Sequence, residues 1–263
     1  MAGVTTNTVA LVALLSMLVT SVRSGTTYSS TWLPAKATWY GKPNGAGPDN
    51  GGGACNFKCS QKAPFFSMTS CGNQALFKDG AGCGACLQIK CNKNNYPECS
   101  NVAKTVVITD INDGPMAKYH FDLSGTAFGA MALPGRNAQL RRAGKISIQF
   151  RRVPCNWPGV KITFYILKGA NPYYFPVMPE HLNGDGTVVK MEVMRSKDGR
   201  PTKIWEPMYR SVGAVWRRDS GNPLKGPLSL RITSDSGKKL IANNVIPAGW
   251  KGGNAYTSKV QFY

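Results

Sequence analysis

Acidic residues are scarce in this sequence, and that scarcity sets its charge. The 263 residues include 13 Asp and Glu against 32 Lys and Arg, which gives a formal net charge of +19 at pH 7. An excess of this size predicts association with polyanions through screened Coulomb attraction. No Asn-x-Ser/Thr sequon is present either, so N-linked glycans are not expected to mask the surface.

Histidine is nearly absent, which argues against a zinc site. His120 and His181 are the only histidines, and CGAC at 83–86 is the only Cys-x-x-Cys pair. Because no second such pair follows, neither a structural zinc site nor a thioredoxin-like redox site is predicted. We therefore expect no metal and no organic cofactor.

Long hydrophobic runs are missing after the first twenty or so residues. Val9–Val19 is apolar but too short to cross a bilayer, and Val22 and Ser24 suit cleavage after Ser24. We interpret residues 1–24 as a secretory signal, with a buried N-terminal helix as the alternative. The chain is then expected to be exported without membrane insertion. In that setting its basic charge favours acidic polysaccharides over nucleic acid as partners.

The cysteines divide the chain into two parts. All eight lie between residues 55 and 155, and an even number in an exported chain predicts disulfides. The first half would then be cross-linked, whereas the second half depends on its apolar core alone. This contrast, with the Trp-Pro-Gly sequence after Cys155, predicts domains over residues 25–155 and 161–263, joined by a linker at 156–160.

Both halves have the short alternating runs that are typical of β-strands. In the first half, residues 105–110 and 145–153 are β-branched or alternating, and residues 125–132 after Ser124 form one candidate helix. In the second half, strand candidates are separated by Gly, Pro, Asn and Asp, a rhythm that predicts a β-sandwich. These candidates are VKITFYILK, TVVKMEVMR, AVWRR, LSLRITS and SKVQFY.

The segment YHFDLSG at 119–125 carries a candidate site. His120 and Asp122 are two residues apart on a predicted strand, so their side chains share one face. This arrangement predicts half of an acid–base site, with a buried hydrogen-bonded pair as the structural alternative. The glycine-rich stretch at 41–55 is not a phosphate-binding loop, because no Gly-Lys-Ser/Thr and helix start follow it.

Several motifs occur in an order that resembles one family. The first half contains ATWYGKPNGAGPDNGGGAC, GCGAC, TVVITDIND, YHFDLSGTAFGAMA and FRRVPC, and the second contains GANPYY, NGDG, GAVWRRD, GPLSLRITS and VIPAGW. From about Trp32 to near the C-terminus the chain resembles the plant β-expansins, which include the grass-pollen group 1 allergens. The resemblance implies an all-β fold. A six-stranded double-psi β-barrel, related to family 45 endoglucanases, would be followed by an immunoglobulin-like β-sandwich that binds carbohydrate.

The resemblance also implies a groove on the barrel. The matching residues are Asp122 for the acid of the lytic relatives, His120 for its neighbour, Asp110 for a second carboxylate, and Thr38 and Tyr40 for a Thr-x-Tyr pair. In those relatives the catalytic base follows this pair, but Gly41 and Lys42 stand here. A charged lysine cannot activate water, so we expect a remnant site with no catalytic residue and no hydrolysis.

Polysaccharide binding needs flat aromatic faces and polar groups for sugar hydroxyls. The candidate binding residues are Thr38, Trp39, Tyr40, Asp49, Asp110, His120, Asp122 and Tyr174. Trp39 and Tyr40 lie on opposite faces of a strand, so at most one of them stacks on sugar. Val212 stands where the family usually has a stacking tryptophan, which weakens the predicted surface of the second domain, and Trp205 and Trp216 are assigned to its core.

The family pattern implies three disulfides, Cys55–Cys83, Cys86–Cys155 and Cys91–Cys99. It leaves Cys71 unpaired, and Cys59 has no family equivalent. A fourth bridge, Cys59–Cys71, would account for both, and we state it as a hypothesis. Export and an even cysteine count favour this bridge over a nucleophile pair of Cys71 with His120.

Taken together, these features predict a secreted, monomeric protein of the plant cell wall. The resemblance implies that it loosens the wall without hydrolysis, by disrupting non-covalent contacts between polysaccharides. The expected partners are glucuronoarabinoxylan and cellulose, with pectin as a further candidate, and not nucleic acid. The alternatives are a lectin-like binder without loosening activity, which Val212 favours, and a weak endoglucanase or transglycosylase.

Overall fold

The computed structural model describes residues 28–47, 52–114, 116–197 and 200–263. The predicted signal at 1–24 and the candidate binding residue Asp49 lie outside these residues. The described chain is mostly β-structure, and it forms one closed barrel and two open sheets. The fold class expected from the family resemblance is confirmed.

Six strands close the barrel in the order β1-β5-β2-β4-β3-β6. Their bounds are β1 Leu33–Tyr40, β2 Thr69–Gly72, β3 Cys86–Cys91, β4 Lys104–Ile111, β5 His120–Ser124 and β6 Ile146–Arg152. Three short helices lie between them: α1 Gln74–Phe77, α2 Gly125–Ala130 and α3 Asn137–Arg142. The pairs β1–β5 and β2–β4 are parallel, and the other four are antiparallel.

The barrel strands follow the predicted alternation. In β6, Ile146, Ile148 and Phe150 are buried, and Ser147, Gln149 and Arg151 point outward. The predicted helix after Ser124 is α2, and the Ser124 hydroxyl caps it by accepting a hydrogen bond from the Ala127 amide at 3.0 Å. The barrel is therefore filled by the apolar side of each strand, and its polar side is left for the surface.

The second half forms a sandwich of two sheets. The four-stranded sheet has the order β10-β9-β13-β14, and the five-stranded sheet has the order β11-β12-β8-β7-β15. The bounds are β7 Thr163–Ile166, β8 Tyr174–Glu180, β9 Val188–Lys197, β10 Arg200–Pro207, β11 Tyr209–Val212, β12 Val215–Asp219, β13 Leu228–Ser234, β14 Lys239–Ile246 and β15 Ala255–Thr257. A continuous apolar core, including Phe164, Phe175 and Ile232, fills the space between the sheets.

One predicted strand is wrong. Residues 258–263 (SKVQFY) form no strand, and the last strand of the five-stranded sheet is instead β15, which ends at Thr257. In this segment, side chains form hydrogen bonds with backbone groups that a neighbouring strand would otherwise bind. Ser258 Oγ accepts from the Val260 amide at 3.3 Å, and Gln261 Nε2 donates to the carbonyls of Val160 and His181. Such local bonds compete with a regular ladder.

Three disulfides are present, and they are the three pairs that the family pattern implies: Cys55–Cys83, Cys86–Cys155 and Cys91–Cys99. The fourth bridge is not formed, and the hypothesis of a Cys59–Cys71 pair is corrected. Cys59 is exposed on a loop. The amide of the preceding residue, Lys58, donates a hydrogen bond to Glu180 of the sandwich. Cys71 is buried in β2 next to Tyr40 and Asp110.

The barrel and the sandwich meet through the loop before and after Cys55. The Ala214 amide donates to the Cys55 carbonyl, and the Lys58 amide donates to Glu180 Oε1 at 2.6 Å. Gly213 has a positive φ of 53°, and a Cβ on it would lie 2.1 Å from the Ala54 carbonyl oxygen. Only glycine fits such a turn against the barrel. Met178 and Val215 of the five-stranded sheet also belong to the core cluster of the barrel, so this sheet packs directly against the barrel.

Candidate functional site

Four polar side chains stand in one row across four neighbouring strands of the barrel. In the strand register, Thr38 of β1 faces Asp122 of β5, Asp122 faces Cys71 of β2, and Cys71 faces Asp110 of β4. Neighbouring strands are about 4.8 Å apart, so the two aspartates are separated by roughly 10 Å at their Cα atoms. The closed sheet thus gathers four side chains that lie up to 84 positions apart in the sequence.

The Thr38 hydroxyl is the centre of the hydrogen bonds in this row. It donates to Asp122 Oδ1 at 2.6 Å and lies 2.9 Å from His120 Nε2. A hydroxyl has one proton, so the His120 contact is made by Nε2–H donating to Thr38. His120 Nδ1 is then the unprotonated nitrogen, and it is buried without a partner among the described residues. Burial lowers the pKa of His120, which favours the neutral imidazole.

The titration of the pair reflects its burial. Burial raises the pKa of Asp122, and the nearby Asp110 carboxylate adds to this, while the Thr38 hydroxyl and His120 oppose it. Burial also lowers the pKa of His120, assisted by the positive charge of Lys145 and opposed by Asp122. Both shifts favour the uncharged forms. Asp122 is therefore more readily protonated than an exposed aspartate, and in that form its carboxyl can donate a hydrogen bond.

Asp110, unlike Asp122, is bound by backbone amides. Its Oδ1 accepts from the Ala54 amide at 2.6 Å and from its own neighbour, the Ile111 amide, at 2.9 Å. Gly53 packs directly on this carboxylate, since a Cβ there would lie 2.6 Å from Asp110 Cγ. Asp110 therefore holds the loop that joins the groove to the sandwich, besides lining the row.

Tyr40 and Trp39 take opposite faces of β1, as predicted from the strand period. The Tyr40 hydroxyl is buried beside the Cys71 thiol, no nitrogen or oxygen of the described residues accepts from it, and burial raises the pKa of both groups. Its ring tip also packs against Gly47. Trp39 packs on the barrel core and donates Nε1 to the Arg141 carbonyl at 2.9 Å. Of the two, Tyr40 lies on the side of Thr38.

Among the described residues, the row provides Asp122 as an acid and no second carboxylate placed to act as a base. Inverting glycosidases place a second carboxylate across the substrate to activate water. The corresponding strand end here continues into Gly41, with φ of 74°, and Lys42. The Asp110 carboxylate is already engaged by backbone amides. The arrangement suits hydrogen bonding to a sugar chain, and it does not suit activation of water.

In the second half, Tyr174 lies at the start of β8 and is 38% exposed. Its strand neighbour on β12 is Asp219, and both belong to the outer face of the five-stranded sheet. Val212 lies on the same sheet with 51% of its surface exposed and offers no flat ring. Trp216 is buried in the core as predicted, whereas Trp205 is only half buried, with the Arg231 guanidinium stacked 4.5 Å from its ring centre.

Sequence reasoning missed an aromatic residue on this sheet. Tyr209 of β11 is 59% exposed and stands opposite Arg217 of β12, which in turn stands opposite Pro176 of β8. Tyr209 and Tyr174 therefore share the outer face, with Arg217 and its ion-pair partner Asp219 between them. The two-residue spacing of Arg217 and Asp219 indicates that these two side chains share one face of a strand. It does not show that β11 pairs with this strand, so Tyr209 could not be placed beside them from the sequence.

The described residues hold no group of three or more His, Cys, Asp and Glu side chains arranged to bind a metal ion. No helix within the described ranges is long and apolar enough to cross a membrane.

Comparison with known proteins identifies relatives for both halves. A family model described as lytic transglycolase matches residues 69–150, and a model of the expansin C-terminal domain matches residues 162–247. Expansin-B2 of Oryza sativa subsp. japonica is 57% identical over 264 residues, covering 100% of both chains. Expansin-B6 of the same rice is 56% identical, covering 96% of each. Expansin-B11 of Zea mays is 52% identical, covering 88% of this chain and 84% of its own.

Solved structures share the fold. Apo expansin from Clavibacter michiganensis superimposes with a TM-score of 0.66 at 18% identity, covering 89% of this chain and 98% of its own. A point mutant of that bacterial protein, solved in complex with cellohexaose, gives a TM-score of 0.67 at 19% identity with the same coverage. The barrel followed by a sandwich is therefore an arrangement found in other proteins.

Proposed function

We propose, from the premise that this chain belongs to the β-expansin family, that one wall polysaccharide chain binds along the polar row of its barrel and over the adjoining sheet. The family loosens plant cell walls without hydrolysis, so the bound chain is displaced from its neighbours and not cut. Tensed polymers can then slip past one another. A secretory signal over residues 1–24 would deliver the protein to the wall.

The observation that carries this proposal is the Thr38-centred hydrogen-bond group, beside which Gly41 and Lys42 stand where the lytic relatives have their base. Thr38, Asp122 and His120 offer a polar surface that is already ordered, so little entropy is lost when sugar hydroxyls bind. The pKa of Asp122 is raised by burial, which favours its protonated, hydrogen-bond-donating form as the pH falls. Greater activity in acid would follow from this.

The sandwich extends the groove in this proposal. The loop held by Asp110 contacts the β11–β12 turn at Gly213, and in this proposal the sugar chain passes from the polar row over that turn to the face that carries Tyr209 and Tyr174. Flat aromatic rings stack on sugar rings at low cost in side-chain entropy. Cellulose and glucuronoarabinoxylan, the proposed partners, both present such rings. One chain would then contact both domains at once.

The test pairs two readouts on one preparation: extension of heat-killed wall strips under load in acid, and reducing ends released into the bath. Asp122→Asn removes the titratable group at nearly constant shape, and Asp113→Asn, on an exposed loop, is the matched control. We expect extension without released sugar in wild type and in the control. Because the asparagine amide is a neutral donor, as protonated Asp122 is, Asp122→Asn should still extend the strips, but its extension should no longer depend on acid pH.

Other outcomes identify the alternatives. Sugar release that disappears in Asp122→Asn would mean that a base exists and that the protein is an endoglucanase or transglycosylase. Binding to isolated polysaccharide without any extension of wild type would mean a lectin-like protein. Either result would overturn the proposed mechanism.

A further inference from the structure

We infer that a second surface of the barrel, built on β1, β6 and β3, binds polysaccharide chains that carry uronate groups. This surface, the basic wall, consists of Trp32, Lys36, Lys90 and Arg151. It rests on the proposed function only in taking a wall polysaccharide as the partner. Its residues are not those of the polar row, so the two sites can be tested separately.

The strand register brings the basic wall together. Lys36 of β1 faces Ser147 of β6, and on the other side of β6, Gln149 faces Lys90 of β3. Arg151, one outward position further along β6, faces Gln88. Because alternate residues of β6 are buried, these outward side chains share one surface. Lys36 also neighbours His120 of β5, so the basic wall begins where the polar row ends.

Each cation of the basic wall is held by a neutral partner. The Lys90 ammonium lies 4.2 Å and the Arg151 guanidinium 4.8 Å from the centre of the Trp32 indole. Arg151 Nε also donates to Gln88 Oε1 at 2.9 Å, and Lys36 Nζ donates to Ser147 Oγ at 2.7 Å. Cation–π contacts and neutral acceptors fix the positions of the charges without cancelling them.

Several cations of the sandwich, in contrast, are paired with carboxylates. There, ion pairs join Lys190 and Arg231 to Glu192, Arg195 and Arg218 to Glu206, and Arg217 to Asp219. None of the ion pairs formed between described residues includes Lys36, Lys90 or Arg151. The basic wall therefore presents three positive charges that no contacting carboxylate of the described residues neutralises. A ligand that brings carboxylates can supply the missing partners.

The surroundings favour a sugar polymer as the carrier of those carboxylates. A cleft of about 210 Å³ at the edge of the basic wall is lined by Lys90, Cys91, Asn92, Asn101 and Gln149. Amide side chains suit sugar hydroxyls, which both donate and accept hydrogen bonds. A uronate-bearing chain offers hydroxyls and carboxylates along one strand, which matches the alternation of amides and cations here.

The probe is a hexameric oligogalacturonate, compared with its methyl ester, which has the same backbone without charge. The variant K90Q/R151Q removes two charges of the basic wall, and K225Q/K251Q removes two from exposed loops of the sandwich as a control. We expect K90Q/R151Q to weaken binding of the acid about fivefold to tenfold, and the control to weaken it less than twofold. Binding of the methyl ester should be the same in all three proteins.

Equal losses of affinity for the acid in the two double variants would mean that only net charge matters. An unchanged affinity in K90Q/R151Q would contradict the proposed site. Inorganic polyphosphate or phosphatidylglycerol vesicles that compete as well as the oligogalacturonate would overturn the uronate assignment. Cellohexaose binding in the same proteins reports on the polar row. If it is absent everywhere, the proposed function fails while the basic wall stands. Near-ultraviolet circular dichroism checks that both double variants fold.

Discussion

A single hydroxyl group, that of Thr38, joins the two titratable side chains of the polar row. It donates to Asp122 and accepts from His120, and it lowers the pKa of Asp122 against the effect of burial. A residue that does not itself titrate thus opposes part of the effect of burial on the pKa of Asp122.

Replacing Thr38 by valine keeps the shape and removes the hydroxyl. Asp122 then loses the hydrogen bond that favours its charged form, so its pKa should rise further. Leaving a buried acceptor without its donor should also lower the free energy of unfolding by about 1–3 kcal/mol. Carbon-detected NMR titration of the Asp122 carboxyl measures the first effect, and chemical denaturation measures the second.

The matched control is Thr257→Val. Thr257 is exposed in β15, where its hydroxyl contacts only Thr163 at 3.1 Å among the described residues. It should change neither the Asp122 titration nor, beyond about 0.5 kcal/mol, the stability. An unchanged pKa of Asp122 in Thr38→Val would show that the Thr38 hydroxyl does not shift it.

Part of this site could be predicted from the sequence, and part could not. That His120 and Asp122 share a face follows from the two-residue period of a strand, which is local. That Thr38 bridges them depends on the parallel pairing of β1 with β5, across 84 residues. No local pattern encodes such a pairing, and only the family resemblance brought Thr38 into the candidate set.

At the scale of elements, the five-stranded sheet departs most from sequence rules. Its central strand β8 contains Pro176 and Pro179, although proline is usually confined to sheet edges because it cannot donate to the ladder. The carbonyls still serve, since Pro176 accepts from the Leu167 amide. A proline at these positions therefore removes a backbone N–H donor but keeps the carbonyl acceptor, and the residues between the two prolines remain buried.

The absence of a tryptophan at position 212 does not by itself decide whether this sheet presents an aromatic ring to a sugar. Tyr209 lies three residues earlier, and a register shift between Arg210 and Val212 separates the two positions. Irregularities of this kind change which residues share a face, and they are not visible in a simple alternation. Tyr209 therefore adds an exposed ring to the sheet on which Val212 replaces the family's tryptophan.

Tyr209→Ala and Val212→Trp test the role of this sheet in opposite directions. Losing a stacking ring should weaken cellohexaose binding about threefold to tenfold, and adding one at the exposed Val212 should strengthen it by a similar factor. Isothermal titration calorimetry measures both. Tyr263→Ala, which removes a tyrosine that is 91% exposed at the C-terminus, is the control. Equal affinities in all four proteins would remove the sandwich from the binding surface.

At the scale of the whole molecule, the junction of barrel and sandwich contains a buried acid. Glu180 is 5% exposed, its Oε1 accepts from the Lys58 amide, and the Lys58 ammonium lies over the Tyr165 ring. Burial raises the pKa of Glu180 to about 7, although Lys58 opposes the shift. The neighbouring His181 packs against Phe65, and burial lowers its pKa to about 4. Two titrating groups of opposite type thus lie at one junction.

Their effects on stability have opposite signs. Folded Glu180 holds its proton to about pH 7, whereas the unfolded side chain releases it near 4.5, so this group destabilises the fold as the pH rises through that window. Folded His181 stays neutral down to about pH 4, whereas the unfolded one is protonated below about 6.5, so its contribution grows as the pH rises. Over much of the range the two contributions cancel, and the wild-type curve alone would conceal both.

Glu180→Gln separates them, because His181 is common to both proteins. The variant cannot ionise, so the difference in free energy of unfolding, wild type minus variant, should fall by about 3 kcal/mol between pH 4 and pH 8. Chemical denaturation across that range measures it. Glu98→Gln, on a loop of the barrel, controls for the loss of one carboxylate. If the Glu180→Gln difference is as flat as this control, the junction carries no buried titrating acid. A fall with rising pH would mean that the contribution of Glu180 to stability is greatest in acid, under the conditions in which protonated Asp122 is proposed to bind sugar.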